Sequence, residues 1–533
     1  MLINNLIVKK LTKKPSQEQI NIILDLYNNK NFEKAENYVL KITQEFPEFF
    51  FGWKALGVIL KKNGKITESI VANKKAIEIN PTDPEIYYNQ GNTLYEIRKL
   101  NASKTSYEKA ISLNSNYAEA YNNLGSVLKE LDKLDESEKT LKKAISLNSN
   151  YAEAYNNLGI VFRQLAKLEE AKKSYEKAIS LNSNYAEAYN NLGIVLRELG
   201  KLDESEKTFR KAIQLNSNFP DAYINLSNIF YLKNNFKEAF DLSEWRWKTK
   251  YSIGQRLISK KPLWDGEKNS SVFVWKEQGI GDEIMLCSMV PELNLISKNV
   301  IVNCDKRLIP LLSRSLSKDI TFVDNKNNVL EKNYSHHIPM SSLYRFFRKD
   351  LNSFTKSAKG YLIADKERMF ELRSKLKDGK KNIRLIGVSW HTNSNLQMAS
   401  FRNILLKDLA LSLHRAGVKL INLQYGNVQN ELKLLKNETG VEIIDITKID
   451  KKNDIDGLAS LISACDLVVS IDNFTVHLAG SLGIKTKALL PFNMDPRWGL
   501  KNSKCFLYDS VEFYRQSKLG NWSDVLIKLR EEL

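Results

Sequence analysis

The sequence predicts two architectures in one chain, an α-helical solenoid followed by an α/β region made of two parallel-sheet halves. Three observations predict this. The nonapeptide Tyr-Ala-Glu-Ala-Tyr-Asn-Asn-Leu-Gly starts at Tyr117, Tyr151 and Tyr185 without a change, a 34-residue period, and such a period marks one supersecondary unit stacked on copies of itself. At 533 residues the chain exceeds what one hydrophobic core organises, so a second domain is required beyond the repeats. From Ser271 onward short β-rich runs alternate with helix-length segments, the pattern of parallel strands joined by crossover helices.

Each repeat reads as two amphipathic helices around a short turn. In the unit starting at Ala152, Tyr155, Leu158, Gly159, Ala171, Tyr175 and Ala178 fall at helical spacing, with the small residues where two helices cross closely. This pattern resembles the tetratricopeptide repeat (TPR). The register extends upstream through Trp53, Leu56, Gly57, Ala76 and Pro81, then Tyr87, Gly91, Tyr107 and Ala110. It decays to a partial first unit at Ala35 and Pro47 and to a last one at Tyr223, Leu226, Phe230 and Ala239, where Ser227 replaces the glycine. Degenerate ends suit capping units. The boundaries expected are an N-terminal arm over 1–14, repeats over 15–247 and a connector over 248–270 that docks through Trp245, Trp247 and Trp264.

One position of each first helix carries Asn89, Asn123, Asn157, Asn191 and Asn225. An asparagine amide both donates and accepts, so such a ladder suits the backbone of an extended acceptor peptide. The alternative is that asparagine is abundant in this chain and tolerated on a wetted helix face.

Composition bounds the rest. The chain is 43% hydrophobic and 10% aromatic, ordinary for a globular protein and unlike a disordered one. No apolar run reaches the length of a membrane span, and the N-terminus lacks the order of a signal peptide, so a cytoplasmic location is expected. Cys287, Cys304, Cys465 and Cys505 have no metal-ligand spacing and read as reduced thiols. Residues 1–250 hold 37 basic against 31 acidic side chains, which leaves 43 against 31 for the remainder of the +18 chain. The basic surplus therefore sits on the second domain, where it attracts anions without choosing among them.

The β-rich runs form two series. Val272–Trp275, Val300–Cys304 and Ile320–Val323 belong to a first Rossmann-like half over 271–375. Ile383–Trp390, Val418–Gln424, Val441–Ile446, Leu467–Ile471 and Lys485–Leu490 belong to a second half over 383–533. Ligands of such sheets bind at the carboxyl ends of the strands, and two unusual clusters fall there.

The first, Gly279-Ile280-Gly281-Asp282, follows a strand and opens a helix. Its glycines let backbone approach a ligand, and the helix start offers N–H groups to an oxyanion. It is neither a dinucleotide fingerprint, since Ile284 stands at the third glycine, nor a P-loop. Helix capping is the alternative role for Asp282. The second cluster, Asp472-Asn473-Phe474-Thr475-Val476-His477, again ends a strand and starts a helix, with Thr475 and His477 offering polar groups to a diphosphate. Its alternative reading is local capping by Thr475. Asp454-Ile455-Asp456 has the acid-x-acid form of a cation site, but Asp456 sits where a helix cap would.

Gly279-x-Gly281-Asp282, Gly387-Val388-Ser389-Trp390 and Asp472-x-x-x-x-His477-Leu478-Ala479, with Arg497-Trp498 and Phe513-Tyr514-Arg515-Gln516, resemble motifs of heptosyltransferase-like glycosyltransferases of family 9, which have the two-lobed GT-B fold. The join to TPR repeats is similar to that in protein O-linked N-acetylglucosamine transferases. The resemblance implies inverting, metal-independent transfer of a sugar from a nucleoside diphosphate donor to a hydroxyl, with no bound cofactor. It puts the general base on Asp282 and the donor on Gly279, Gly281, Arg402, Asp472, Asn473, Thr475 and His477. Arg402 lies in a stretch from Trp390 to Asn403 that is similar to the family's phosphate loop. The expected partners are a protein acceptor, flagellin-like surface proteins being one implied class, and a nucleotide sugar; nucleic acid is not expected. A non-catalytic TPR scaffold, or a transferase of lipid-linked or lipopolysaccharide sugars at a membrane surface, are the alternatives.

Overall fold

A computed structural model describes residues 14–249, 256–392, 402–492, 495–499, 505–518 and 520–533. The chain divides into two compact units, Met1–Leu215 and Asn216–Leu533.

The first unit consists of helix pairs, from Gln17–Asn28 with Phe32–Glu45 to Ala186–Glu198 with Leu202–Leu215. The first helix starts at a capping box between Ser16 and Gln19, which satisfies two backbone donors at once. Within the pair Ala152–Gln164 and Leu168–Leu181, Gly159 lies against Tyr175 so closely that a Cβ there would come within 2.6 Å of the ring. The glycine is therefore the socket for the large residue sixteen positions later, which is why both recur with the repeat. Ser69, Ser103, Ser137 and Ser205 donate their hydroxyls to the carbonyls of Gly57, Gly91, Gly125 and Gly193 at 2.6–2.8 Å. These bonds tie the two helices of a pair together at the crossing point. Lys30, Arg98, Asp132 and Ala166 hold a left-handed φ of 56–60° at the intervening turn, a conformation costly to any residue with a Cβ.

A last pair, Pro220–Leu232 and Phe236–Ser243, continues the helical pattern but belongs to the second unit. The expected boundary near Trp247 therefore does not coincide with the division into compact bodies. The reason is aromatic packing: Phe240 stacks on Tyr344 at 4.6 Å, and Phe236 packs on Phe354 at 5.1 Å. Behind this pair, the half-buried Arg246 bridges Glu244 at 2.7 Å, Glu277 at 3.0 Å and the Ser342 hydroxyl at 2.8 Å.

Two parallel sheets follow. The first contains β1 (Ser271–Trp275), β2 (Asn299–Asn303), β3 (Ile320–Val323) and β4 (His336–Pro339), in the order β3-β2-β1-β4. The second contains β5 (Arg384–Ser389), β6 (Val418–Asn422), β7 (Ile443–Ile444), β8 (Leu467–Ile471), β9 (Thr486–Leu490) and β10 (Val511–Arg515), in the order β10-β9-β8-β5-β6-β7. The strand series expected from sequence lacks β4 and β10, edge strands with polar or proline-bearing sequences; the other two edges, β3 and β7, are apolar and do read from sequence, as the buried central strands do. The helix Lys366–Lys377, placed by sequence mostly in the first half, packs on the helix Ile455–Ala464 of the second. Arg368 and Arg373 pair there with Asp454 and Asp466, so this helix goes with the second half.

No helix among the described residues is long and apolar enough to cross a membrane.

Candidate functional site

In each sheet the strand order reverses once, between β1 and β4 and between β5 and β8, and the crevice outside such a reversal is where α/β sheets bind ligands. Both reversals open on one cavity of about 510 Å³. Gly279, Gly281 and Asp282 line it from the helix Ile280–Cys287 that follows β1, and Asp472, Asn473 and His477 from the region that follows β8. Arg402, placed between β5 and β6 in sequence, lines it too, with Arg307, Lys452, Asp495 and Arg497. The segment from Asn393 to Phe401, read from sequence as part of a phosphate loop, lies outside the described residues.

The first cluster is a helix start. Gly279, not Asp282, is the N-cap, and no side chain among the described residues caps this helix. Asp282 stands in the first turn and accepts at its Oδ1 from Arg497 Nη1 at 2.8 Å. Capping thus does not account for the acid. Gly281 brings the two halves together at the site, since a Cβ there would reach 3.3 Å from Phe474 and 3.4 Å from His477.

Around Asp472 to His477 the structure separates residues that the sequence reading grouped. Asn473 is the N-cap of the helix Phe474–Ser481, accepting from the Thr475 N–H at 2.9 Å, and its Nδ2 donates to Ser389 at the end of β5 at 2.8 Å. Ser389, with the Trp390 and His391 amides, in turn donates to Gln424 Oε1 beyond β6 at 2.9–3.1 Å. This network clamps the ends of β5, β6 and β8 under the cavity. Thr475 neither caps the helix nor lines the cavity; it is fully buried, and its hydroxyl has no partner among the described residues. The second helical position turns it inward, away from the strand ends.

His477 lines the cavity but is buried, with Nδ1 3.0 Å from the Tyr508 hydroxyl and its ring stacked on Trp498 at 5.0 Å. Burial, with Arg497 nearby, pulls its pKa down to about 3, so it is neutral at physiological pH. Asp472 receives the Trp498 indole N–H at 2.9 Å and lies 3.6 Å from Arg402. Its carboxyl therefore stands at ion-pair distance from an arginine, and burial together with Asp495 raises its pKa. Burial also acts to raise Asp495, but Arg497, 3.1 Å away, outweighs it and keeps this acid ionised.

The outcome is a cavity with four cationic side chains, Arg307, Arg402, Lys452 and Arg497, facing three carboxylates, and with a helix N-terminus of positive potential on one wall. Asp495 and Arg307 were not legible as site residues from sequence. Asp454 and Asp456 are not paired around a cation: Asp454 caps the helix Ile455–Ala464 and meets Arg368, while Asp456 meets Arg314. Asp454, rather than Asp456, is thus the cap. No group of His, Cys, Asp and Glu among the described residues is placed to hold a metal ion.

In the repeats, the amides of the asparagine ladder are partly used within the solenoid. Asn123 Nδ2 donates to Asn92 Oδ1 at 2.8 Å, Asn157 Nδ2 to Asn122 Oδ1 at 2.9 Å and Asn191 Nδ2 to Asn156 Oδ1 at 3.0 Å. Each bond joins one repeat to the one before it. Asn89 and Asn225 occupy the equivalent half-buried positions of their own helices.

Comparison with known proteins matches tetratricopeptide repeat models to residues 57–98, 91–132, 116–184 and 186–219. Protein FlbA of Caulobacter vibrioides is 25% identical over 317 residues, covering 54% of this chain and 51% of its own; the chain thus spans about half the length of this curated relative. Among solved structures, that of MamA is 31% identical, covering 30% of this chain and 95% of its own with a TM-score of 0.29. YrrB, described as a TPR protein with an unusual peptide-binding site, is 28% identical, covering 33% and 91% with a TM-score of 0.28. The chain carries an array of tetratricopeptide repeats, followed by a C-terminal α/β region with two parallel sheets.

Proposed function

We propose that the α/β region is a GT-B glycosyltransferase that moves a sugar from a nucleoside diphosphate to a hydroxyl, without a metal ion. The observation that carries this reading is the convergence of both strand-order reversals on one cavity, which Asp282, the helix start at Phe474 and Arg402 all line. A diphosphate requires fixed positive charge, and the helix N–H groups and Arg402 supply it. The resemblance of the three motifs to the heptosyltransferase-like family supports the same assignment.

In this reading Asp282 takes the proton of the acceptor hydroxyl as its oxygen attacks the anomeric carbon. The bond from that carbon to the diphosphate oxygen breaks on the opposite face, which inverts the anomeric centre. Negative charge accumulates on the leaving diphosphate, where preorganised donors act most strongly. The other polar residues hold this geometry: Asp472 orients Arg402, and Asn473 fixes the helix start.

The repeats supply the partner, a protein or peptide chain, in keeping with how TPR arrays ordinarily serve. Incubating the full chain with UDP-, GDP- and ADP-sugars, with EDTA present, and following release of nucleoside diphosphate tests the catalytic reading. Release that is abolished in Asp282→Asn supports it, and release from none of these donors refutes it.

A further inference from the structure

Beside the cavity just described lies a second, of about 200 Å³, that shares Asp282, Asp495 and Arg497 with it. The Asp282–Arg497 pair therefore stands as a partition with open space on both faces. The far wall of the second cavity comes from the last helix pair, Pro220–Leu232 and Phe236–Ser243, through Asn228 and Tyr231, with Tyr344 beside them.

Its chemistry differs from that of the first. Each ionic group lining it is matched: Asp282 to Arg497 at 2.8 Å, Arg497 to Asp495 at 3.1 Å, and Arg246 to Glu277 at 3.0 Å and Glu244 at 2.7 Å. What is left to meet a ligand is uncharged: chiefly the Asn228 and Gln278 amides and two tyrosines. Burial pushes the Tyr344 phenol up to about 12 and that of Tyr231 well above its usual value, so both stay protonated. An anion gains nothing here that offsets its desolvation, whereas an alcohol finds donors, acceptors and ring edges. The volume suits one sugar ring or one side chain.

We propose that this second cavity is the acceptor site, taking a neutral alcohol, and that the last helix pair is its wall and so part of the catalytic body. The proposal rests on the reading of Asp282 as the base. The alcohol proton goes to Asp282 while its oxygen bonds to the anomeric carbon, and the nucleoside diphosphate departs into the first cavity. Inversion demands that the alcohol oxygen and the departing diphosphate oxygen stand on opposite faces of the anomeric carbon, which seats the donor sugar beside Asp282 and Arg497, where the two cavities meet. Asn228, half-buried on its helix, is the acceptor-positioning residue.

The test uses the full chain, with UDP, GDP and ADP in turn, and two neutral probes, methyl β-D-glucoside and N-acetylthreonine amide, against anionic glycerol 3-phosphate. Saturation-transfer NMR reads the probes, and calorimetry reads the nucleotide. At least one neutral probe binds, glycerol 3-phosphate does not do so outside the nucleotide cavity, and the probe that binds tells a sugar from a side-chain hydroxyl. Asn228→Trp, which fills the cavity, weakens that probe about tenfold or more; Asn228→Leu, close in volume, weakens it less; both keep nucleotide affinity and the melting temperature of the parent. Binding of neither probe, or a probe signal untouched by Asn228→Trp, overturns the acceptor assignment and leaves the donor reading standing. Absence of binding by every nucleotide overturns the donor reading and this proposal with it.

Discussion

Arg497 Nη1 meets Asp282 Oδ1 at 2.8 Å across 215 positions of sequence, joining the helix after β1 to the turn after β9. The same guanidinium is held by Asp495. Burial opposes its charge, but the attraction of Asp495, Asp282 and Asp472 outweighs this and keeps Arg497 protonated. One carboxylate oxygen of Asp282 is thereby fixed in place.

Asp282→Asn is expected to lower turnover by about 100-fold or more, the usual effect of losing a positioned base, with nucleotide affinity nearly intact. The amide oxygen still accepts from Arg497, so the melting temperature should hold. Steady-state kinetics with calorimetry on the same preparation decide it. A variant that only melts earlier and turns over normally would show that Asp282 is structural.

His477 makes stability depend on pH. Its folded pKa of about 3 lies below the ordinary histidine value, so the unfolded chain binds the proton first as pH falls. Its contribution is complete above about pH 6.5, is lost progressively toward pH 3, and amounts to about 2 kcal/mol lost by pH 5. Urea unfolding at pH 7 and pH 5 should show the gap between the parent and His477→Phe shrink by that amount. An unchanged gap would mean that His477 is not neutral in the folded protein.

At Ala166 the chain adopts a φ of 59°. Replacement by glycine removes the Cβ clash of the left-handed conformation, and although the unfolded chain gains freedom, a net stabilisation of about 0.5–1 kcal/mol is expected. Thermal unfolding of Ala166→Gly should shift upward; a downward shift would show that the turn tolerates the side chain without strain.

The asparagine ladder serves the solenoid as well as any peptide. Because Asn123, Asn157 and Asn191 each bond to the preceding repeat, changing all three to Ala should cost about 1 kcal/mol per bond in the stability of the array. If the same amides grip a peptide backbone, affinity for a protein acceptor falls as well, by roughly 3 kcal/mol if the terms add. A variant that melts earlier yet keeps its acceptor Michaelis constant would confine these residues to holding repeats together.

Much of the fold was legible because it repeats or is continuously apolar. The 34-residue identity exposed the helix pairs, and the central strands read directly from runs such as Leu467–Ile471. Edge strands β4 and β10 were not legible, because they carry the polar and proline residues that an open side tolerates, unlike the apolar edges β3 and β7. At the site, Gly279, Gly281, Asp282, Arg402 and Asp472 were read from local motifs and do line one cavity. Thr475 does not line the cavity, and its motif could not show this, because a motif does not say which way a helix turns its second residue. Asp495 escaped notice because its importance comes from Arg497 beside it and Asp282 beyond, a relation that only the tertiary structure creates.

The central claim is that the cavity between the two sheets binds a nucleoside diphosphate through fixed positive charge and without a metal. Titration calorimetry of UDP, GDP and ADP into the full chain in EDTA tests it most directly. The account predicts saturable binding of at least one of them, weakened strongly by Arg402→Ala. Binding of none, or binding only when magnesium or manganese is added, would contradict it.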